Sequence, residues 1–145
     1  MTTDTAFTAL NLAVLPWWLC WLVAPRSRAA LRMAAHSGVF VVLSLVYTLL
    51  VAAVLAQGGF GGSDAASVRA GLSTPLGFLT GWTHYLAFDL FVGAWIVREA
   101  QRLDVEARPF LLFTLLLGPL GLGAFLLRRA LRLRSFGGLG ETDLA

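Results

Sequence analysis

PFLLFTLLLGPLGLGAFLL, residues 109–127, is an apolar run interrupted at its centre by Gly118 and Pro119. A helix needs ~20 apolar residues to cross the ~30 Å hydrocarbon core of a membrane, and this run is about that long. A central proline removes a backbone donor and bends or breaks a helix. Two arrangements are therefore open: a helix that crosses straight through, which the length favours, and a segment that turns back at Gly118 and Pro119.

Three further apolar runs precede this one along the chain of 145 residues. The composition is 58% hydrophobic and only 13% charged, with a mean hydropathy of +0.78, which is typical of an integral membrane protein. We predict an all-α fold, an integral membrane four-helix bundle over residues 1–134, followed by a disordered polar tail at 135–145. The predicted helices lie at about 6–24, 30–56, 76–102 and 109–132.

All eleven basic residues are arginines, and most of them cluster beside the ends of the apolar runs. This placement favours contact with the phosphates of membrane lipid over nucleic-acid binding. Cytoplasmic loops collect basic residues, but four straight spans would divide the arginines six against five, which favours non-cytoplasmic termini only slightly. A fourth segment that turned back would instead bring the C-terminal arginines to the side of the other clusters.

The stretch GWTHYLAFDLF, residues 81–91, places polar side chains inside the third apolar run. A carboxylate at the centre of a membrane helix costs about 2.5–3.5 kcal/mol on insertion scales, and such groups usually mark functional sites. Asp89 shares a helical stripe with Tyr85 and Trp82, which precede it by four and seven residues. The alternative interpretation of Asp89 is a structural hydrogen bond that ties two helices together.

Depth along the helices, at ~1.5 Å per residue, predicts which groups meet Asp89. Gly118 and Pro119 reach the same level from the other side of the membrane, and Pro119 leaves the Leu115 carbonyl without its helical donor. A protonated Asp89 is one group that could supply this hydrogen bond. His36 of helix two is expected to approach the same level.

His84 lies about 140° around the helix from Asp89, at 100° per residue, and therefore faces another side. Asn11 of helix one lies near the level of His84, whereas His36 and His84 differ in depth by around ten Å, which disfavours a haem held between two histidines. We predict no cofactor and no metal site, since the single Cys20 offers no thiol cluster. The aromatic row below the imidazole suits a polyene chain and consists of His84, Phe88, Phe91 and Trp95.

Three stretches together resemble the four-helix membrane family named for abscisic-acid deficiency in plants, the ABA-deficient-four-like family. The similarity runs from about Ala9 to Leu127, and its most specific part is the motif in helix three. The stretches are LNLAVLPWWLCWLVAP at 10–25, GWTHYLAFDLFVGAWI at 81–96 and LLLGPLGLGAFLL at 115–127. The matching positions are Asn11, Pro16, Pro25, His84, Asp89, Gly118, Pro119 and Gly121.

The resemblance implies a carotenoid-related role, because plant members are associated with the isomerisation of the epoxide violaxanthin to the allenic neoxanthin. We expect a cofactor-free acid–base isomerase acting on the end group of a carotenoid or other polyisoprenoid. Its expected catalytic residues are Asp89, His84 and Tyr85, with the assignment of acid and base left open. The residues expected to contact the substrate are Asn11, His36, Trp82, Phe88, Phe91, Trp95, Gly118 and Pro119.

A non-catalytic role is the alternative hypothesis. A small chain with short loops suits a carotenoid-binding or structural subunit of a larger membrane complex, for pigment synthesis or photosynthesis. The chain shows no plastid transit-like extension and uses only arginine as its basic residue, which indicates a multi-pass protein of a bacterial inner membrane, cytoplasmic or intracytoplasmic. The plant substrate therefore does not transfer with the family.

Overall fold

The computed structural model describes residues 2–59 and 61–136, and all regular structure in these ranges is α-helical. The all-α prediction is therefore confirmed for this part of the chain. Most of the predicted disordered tail, residues 137–145, lies outside the described residues. The helices are α1 Thr3–Val23, α2 Arg28–Ala35, α3 Gly38–Ala56, α4 Ala65–Leu72, α5 Pro75–Arg102, α6 Arg108–Leu117 and α7 Pro119–Leu133.

The predicted helix at 30–56 is divided in the structure into α2 and α3. His36 has an extended backbone, with φ −82° and ψ 119°, and its ring Nδ1 accepts the Gly38 N–H at 3.1 Å. This side-chain acceptor satisfies a backbone donor at the start of α3 that the helix leaves unpaired. The break makes α2 a short amphipathic helix, in which Ala30 and Ala34 are fully buried while the arginines are exposed.

α5 is the central helix, and α1 runs parallel to it. Phe7 of α1 packs on Trp82 near the beginning of α5, with ring centroids 4.9 Å apart. Further along, Trp18 and Trp21 lie over Gly93 and are both buried. This order of contacts fixes the direction of α1 relative to α5, and the indole rings supply much of the core between them.

α3 packs on another side of α5 and runs in the opposite direction. Phe40, near the start of α3, contacts Phe91 at 5.7 Å between ring centroids. Tyr47, two turns later, contacts His84, which lies two turns earlier on α5, at 5.6 Å. α4 covers the beginning of α5 and completes the link between the two helices.

α6 and α7 form a helical hairpin, so two antiparallel helices replace the predicted single helix at 109–132. The turn is at Gly118, which has φ +52° and ψ −106° and still donates its N–H to the Thr114 carbonyl at 2.8 Å. Pro119 opens α7, where its missing N–H leaves no helical bond unmade. The helices touch at Gly121, because a Cβ there would stand 2.2 Å from the Thr114 nitrogen.

Both ends of this hairpin lie at the same end of the molecule. Arg108, at the start of α6, donates to two carbonyls in the last turn of α1, at 3.0 and 3.1 Å. Arg129, near the end of α7, binds Glu99 in the last turns of α5 at 2.7 Å. The straight crossing favoured by length is therefore wrong, and the chain turns back instead. With 10 residues, α6 is ~15 Å long, about half the ~30 Å thickness of membrane hydrocarbon.

Among the described residues, two apolar stretches are long enough to cross a membrane: α1, and Arg28–Ala56, which comprises α2 and α3. Their mean hydropathies are 1.6 and 2.8, yet only 17% and 11% of the residues in the apolar 18-residue segment of each stretch are buried inside the protein. A core helix of a soluble domain would be mostly buried, whereas large exposed apolar surfaces mark contact with lipid or a partner. These stretches therefore indicate a membrane protein. Among the most exposed large side chains are Leu45, Leu49 and Leu116.

Candidate functional site

Asp89 lies midway along α5 and faces the tip of the α6–α7 hairpin. A Cβ on Gly118 would stand 3.2 Å from Asp89 Oδ1, 3.5 Å from Oδ2 and 3.4 Å from Tyr85 Cε2. Tyr85, one helical turn earlier on α5, interacts with the Asp89 carboxylate through its hydroxyl. The structure therefore brings Asp89, Tyr85 and Gly118 together, which is the contact expected from their depth and spacing.

One oxygen of the Asp89 carboxyl has no hydrogen-bond partner in the described part of the chain. This atom, Oδ2, is buried, so the expected bond to the Leu115 carbonyl is not made through it. The chain turns at Gly118, and α7 then returns along α5 toward Glu99 instead of continuing past Asp89. A buried polar atom without a partner costs about 1–3 kcal/mol, and native proteins usually retain one where a ligand, water or chemistry uses it.

An aromatic stack leads from Tyr85 toward the beginning of α5. The Trp82 ring lies 5.3 Å from the Tyr85 ring and 4.9 Å from Phe7 of α1, and Phe78 joins it at 6.1 Å. The indole Nε1 of Trp82 is buried and lacks a hydrogen-bond partner among the described residues. Trp82 therefore supports Tyr85 from inside the protein, on the side of α5 that packs against α1.

His84 lies on a different side of α5, facing α3. Its ring stands 4.5 Å from Phe88 and 5.6 Å from Tyr47, and the side chain is exposed. Asp89 faces the hairpin, so the two ionisable groups expected to share the catalysis do not face each other. Tyr47 was not predicted as a site residue, although its place two turns after Phe40 on an apolar helix was a visible signal.

Two grooves flank Phe91 on the outer face of α5, and we call them together the Phe91 cleft. Phe88 and Phe91 are 60% and 55% exposed within it, so the predicted aromatic row lines an open surface. The groove toward α3 has a volume of about 270 Å³ and is lined by Phe40, Ser44, Ala87, Phe88 and Phe91. The groove toward α7 has a volume of about 220 Å³ and is lined by Phe91, Val92, Trp95, Leu122 and Leu126.

Three of the residues expected to contact substrate have other surroundings. Asn11 donates its side-chain N–H to the Phe7 carbonyl at 2.7 Å, within α1. Pro119 is exposed at the first turn of α7. The prediction that His36 reaches the level of Asp89 is wrong. His36 is exposed in the link before α3, four residues ahead of the contact between Phe40 and α5, and therefore lies toward the arginine-rich end.

A buried ionic cluster at the end of α5 was not predicted. The Glu99 carboxylate accepts hydrogen bonds from Nε of Arg102 at 2.8 Å and from Nε of Arg129 at 2.7 Å. It lies beyond the apolar run at 76–97. Burial opposes ionisation, but the hydrogen bonds from the two arginines outweigh it and hold the pKa of the Glu99 carboxyl below its ordinary value. The spacing of Glu99 and Arg102 was the visible signal, since residues three apart meet on a helix.

Residues 2–59 and 61–136 contain no obvious metal-binding site. These ranges contain no group of three or more His, Cys, Asp or Glu side chains able to hold an ion. What the arrangement offers is proton transfer by Asp89 with Tyr85, or by His84 beside Tyr47. An apolar ligand has room in the Phe91 cleft.

The family of the chain follows from comparison with known proteins. Residues 5–125 match the family described as ABA DEFICIENT 4-like. The chain belongs to this family. The match extends from α1 to Phe125 in α7 and so includes Asp89, His84 and the turn at Gly118. No curated protein and no solved structure gives a significant match. Membership in the ABA DEFICIENT 4-like family supports a role related to carotenoids and the abscisic-acid pathway.

Proposed function

We propose that this protein is a multi-pass protein of a bacterial inner membrane that isomerises the end group of a carotenoid or other polyisoprenoid by proton transfer. In this arrangement α1, α3 and α5 cross the membrane, and the α6–α7 hairpin enters from one side and returns to it. The observation that carries the proposal is the carboxylate of Asp89, which lies against the hairpin tip and has one buried oxygen that no described residue hydrogen-bonds. Membership in the ABA DEFICIENT 4-like family supports the proposed substrate class.

The Phe91 cleft is the proposed binding surface for the polyene chain. Apart from Ser44, its lining is apolar and aromatic. Because it opens on the outer face of α5, a lipid-dissolved ligand reaches it without crossing water. From His84 to Trp95 the cleft side of α5 extends over ~16 Å at ~1.5 Å per residue. Val92, which lines the groove toward α7, follows Asp89 by three residues. The cleft therefore ends about one helical turn from the carboxyl.

The chemistry requires one proton donor and one proton acceptor. Opening an epoxide to an allene adds a proton to the epoxide oxygen as its C–O bond breaks, and a base removes a vinylic proton, with no net redox change. Asp89 and Tyr85 form the pair nearest the hairpin, and we assign the proton transfers to this pair. His84 stands with Tyr47 on the α3 side, where we assign it to holding the ligand.

A non-catalytic role is the second candidate, and one observation favours it. Asp89 and His84 face different neighbours, the hairpin and α3, so they do not form a preassembled acid–base pair. A protein that only binds carotenoid, or that stabilises a larger membrane complex, needs the Phe91 cleft but not the proton transfers. This hypothesis treats Asp89 as a structural group that positions the hairpin.

The deciding experiment compares pigments in a carotenoid-producing host that expresses the wild-type chain, Asp89→Asn or Asp4→Asn. Asparagine keeps the shape of the Asp89 side chain but cannot exchange a proton at this site. Asp4, an exposed carboxylate in the first turn of α1, provides the matched control. We expect a new carotenoid isomer with the wild type and Asp4→Asn, and at least a 100-fold lower yield with Asp89→Asn, in line with the usual contribution of general acid–base catalysis.

Pigment bound to the purified proteins separates the two candidates. Catalysis predicts that Asp89→Asn inserts normally and retains the unconverted carotenoid. Unchanged pigment bound to the wild type, with no new isomer in the host, would establish the binding role instead. If the wild type neither alters nor retains any carotenoid, the carotenoid isomerase and the carotenoid-binding role are both wrong, and only the role in stabilising a larger complex is left.

A further inference from the structure

The arginines are distributed very unequally between the two ends of the molecule. Because the α6–α7 hairpin returns, ten of the eleven arginines lie at the end where α1, α5 and α7 finish. Within the described residues, that end carries only three carboxylates: Glu99, Asp104 and Glu106. The opposite end carries Arg69 of α4 with Asp4 and Asp64. A strong positive charge therefore faces one side of the proposed membrane.

Several of these arginines are already engaged inside the protein. Glu99 binds two of them, Arg26 pairs with Asp104 at 3.1 Å, and Arg98 donates to the Ala34 carbonyl at 2.6 Å. Arg28 and Arg32 of α2 differ from these. Both are exposed, and neither has a carboxylate within ion-pair distance among the residues described.

The geometry of α2 presents these two arginines together. They are four residues apart, so their side chains leave the same face of the helix. The opposite face packs inward, where Ala30 and Ala34 are fully buried. α2 follows α1 and precedes α3, the two most apolar helices, so it lies where the proposed spans end. An exposed pair of guanidinium groups on an amphipathic helix at this level meets lipid headgroups.

We propose that α2 is an interfacial helix whose Arg28 and Arg32 bind the phosphates of anionic phospholipids in the cytoplasmic leaflet. Guanidinium groups form bidentate hydrogen bonds with phosphate, and basic residues at a membrane end are attracted to anionic lipid. The same distribution orients the chain: the arginine-rich end and the C-terminus face the cytoplasm, and the N-terminus faces away. This inference rests on the proposed membrane placement and is independent of the pigment chemistry.

The binding test titrates fluorescent phosphatidylglycerol into the full chain in neutral detergent micelles. Arg28→Gln/Arg32→Gln is compared with the wild type and with Arg69→Gln, which removes an arginine from a short helix at the opposite end. We expect at least a tenfold weaker Kd in the double variant and no change in Arg69→Gln. Phosphatidylcholine should bind all three proteins equally, and added salt should weaken only phosphatidylglycerol binding.

Two further variants and one competitor make the result decisive. Arg28→Lys/Arg32→Lys keeps the charge and should recover part of the affinity, while circular dichroism checks that each variant is folded. Equal phosphatidylglycerol affinity in the wild type and the double glutamine variant would overturn the proposal, as would an equal loss in Arg69→Gln. Competition by millimolar glycerol phosphate would assign the arginines to a soluble phosphate ligand and would also overturn it.

Orientation is tested with reporters fused to the C-terminus of the full chain. A fused green fluorescent protein should fluoresce, and a fused alkaline phosphatase should be inactive, because the C-terminus is placed in the cytoplasm. The reverse pattern would refute the orientation. Release of the chain from membranes by alkaline carbonate would instead refute the membrane placement itself, so the two failures are distinguishable.

Discussion

Gly118 turns the α6–α7 hairpin at backbone angles that alanine adopts only with strain. Its φ is +52° and its ψ −106°, outside the regions open to residues with a Cβ. Pro119 further restricts the residue before it. Moreover, a Cβ would stand 3.2 Å from Asp89 Oδ1, which is closer than ordinary van der Waals contact. Gly118→Ala therefore perturbs the backbone turn and the carboxylate at once.

The magnitude follows from the backbone strain, which is on the order of 1–3 kcal/mol for a side chain forced into such a region. Gly123 provides the matched control, because it is exposed in α7 and a Cβ there meets no atom within 4 Å. Alanine is favoured over glycine inside a helix by about 0.5–1 kcal/mol. Gly123→Ala should therefore stabilise the protein slightly, and the two variants should differ by about 1.5–4 kcal/mol.

Thermal unfolding of the purified variants in one detergent measures this difference. At about 3 °C per kcal/mol, Gly118→Ala should lower the Tm by roughly 3–9 °C, while Gly123→Ala leaves it unchanged or slightly raised. A Tm for Gly118→Ala equal to that of the wild type would refute the turn at Gly118. An equal fall in the Tm of both variants would show that any added side chain destabilises the hairpin, whatever the backbone angles at its position.

Four further variants test the ionic cluster and the Phe91 cleft. Glu99→Gln leaves the guanidinium of Arg129 buried without its anion and should destabilise the protein by about 3–5 kcal/mol in the same unfolding assay. The control Asp104→Asn removes only the exposed ion pair with Arg26 and should cost less than about 1 kcal/mol. Because the pKa of Glu99 is lowered, its contribution is present above the ordinary value of 4.5 and should be lost only as the pH falls through the lower folded value. Phe91→Trp places a larger ring between the two grooves and should reduce the pigment bound per protein, while Phe113→Trp on α6 should not. Equal pigment in the two variants would contradict a ligand site at Phe91.

The helical class and the approximate positions of the apolar segments could be predicted because hydropathy reports what a segment packs against. The path of the chain could not be predicted, because the hydropathy of an apolar run is the same whether the run continues straight or turns back. Residues 109–127 are long enough to span, yet Gly118 divides them into two half-length helices. The break at His36 was not predicted either, because hydropathy does not report the single hydrogen bond between its ring and the Gly38 N–H.

The candidate site was predicted where its residues share one helix. Spacing along α5 placed Tyr85 on the stripe of Asp89, and depth along the chain added Gly118. Contacts between distant residues were not accessible in this way: Arg129 reaches Glu99 across 30 positions, and only the return of α7 brings them together. His36 was misplaced because its depth was counted along a continuous helix that the structure interrupts.

The broken helix and the buried carboxylate compensate for each other. In the proposed membrane placement, a carboxyl at mid-depth costs about 2.5–3.5 kcal/mol, and a helix end at the same depth exposes backbone groups that lipid cannot satisfy. By turning against Asp89, the tip at Gly118 places both polar features inside the protein instead of toward lipid. In that placement the mutual shielding favours the hairpin, but it leaves Asp89 Oδ2 buried and without a hydrogen-bond partner among the described residues. A purely structural carboxyl would have been expected to use both oxygens, so the unpartnered one favours a functional role for Asp89 over a helix-tying role.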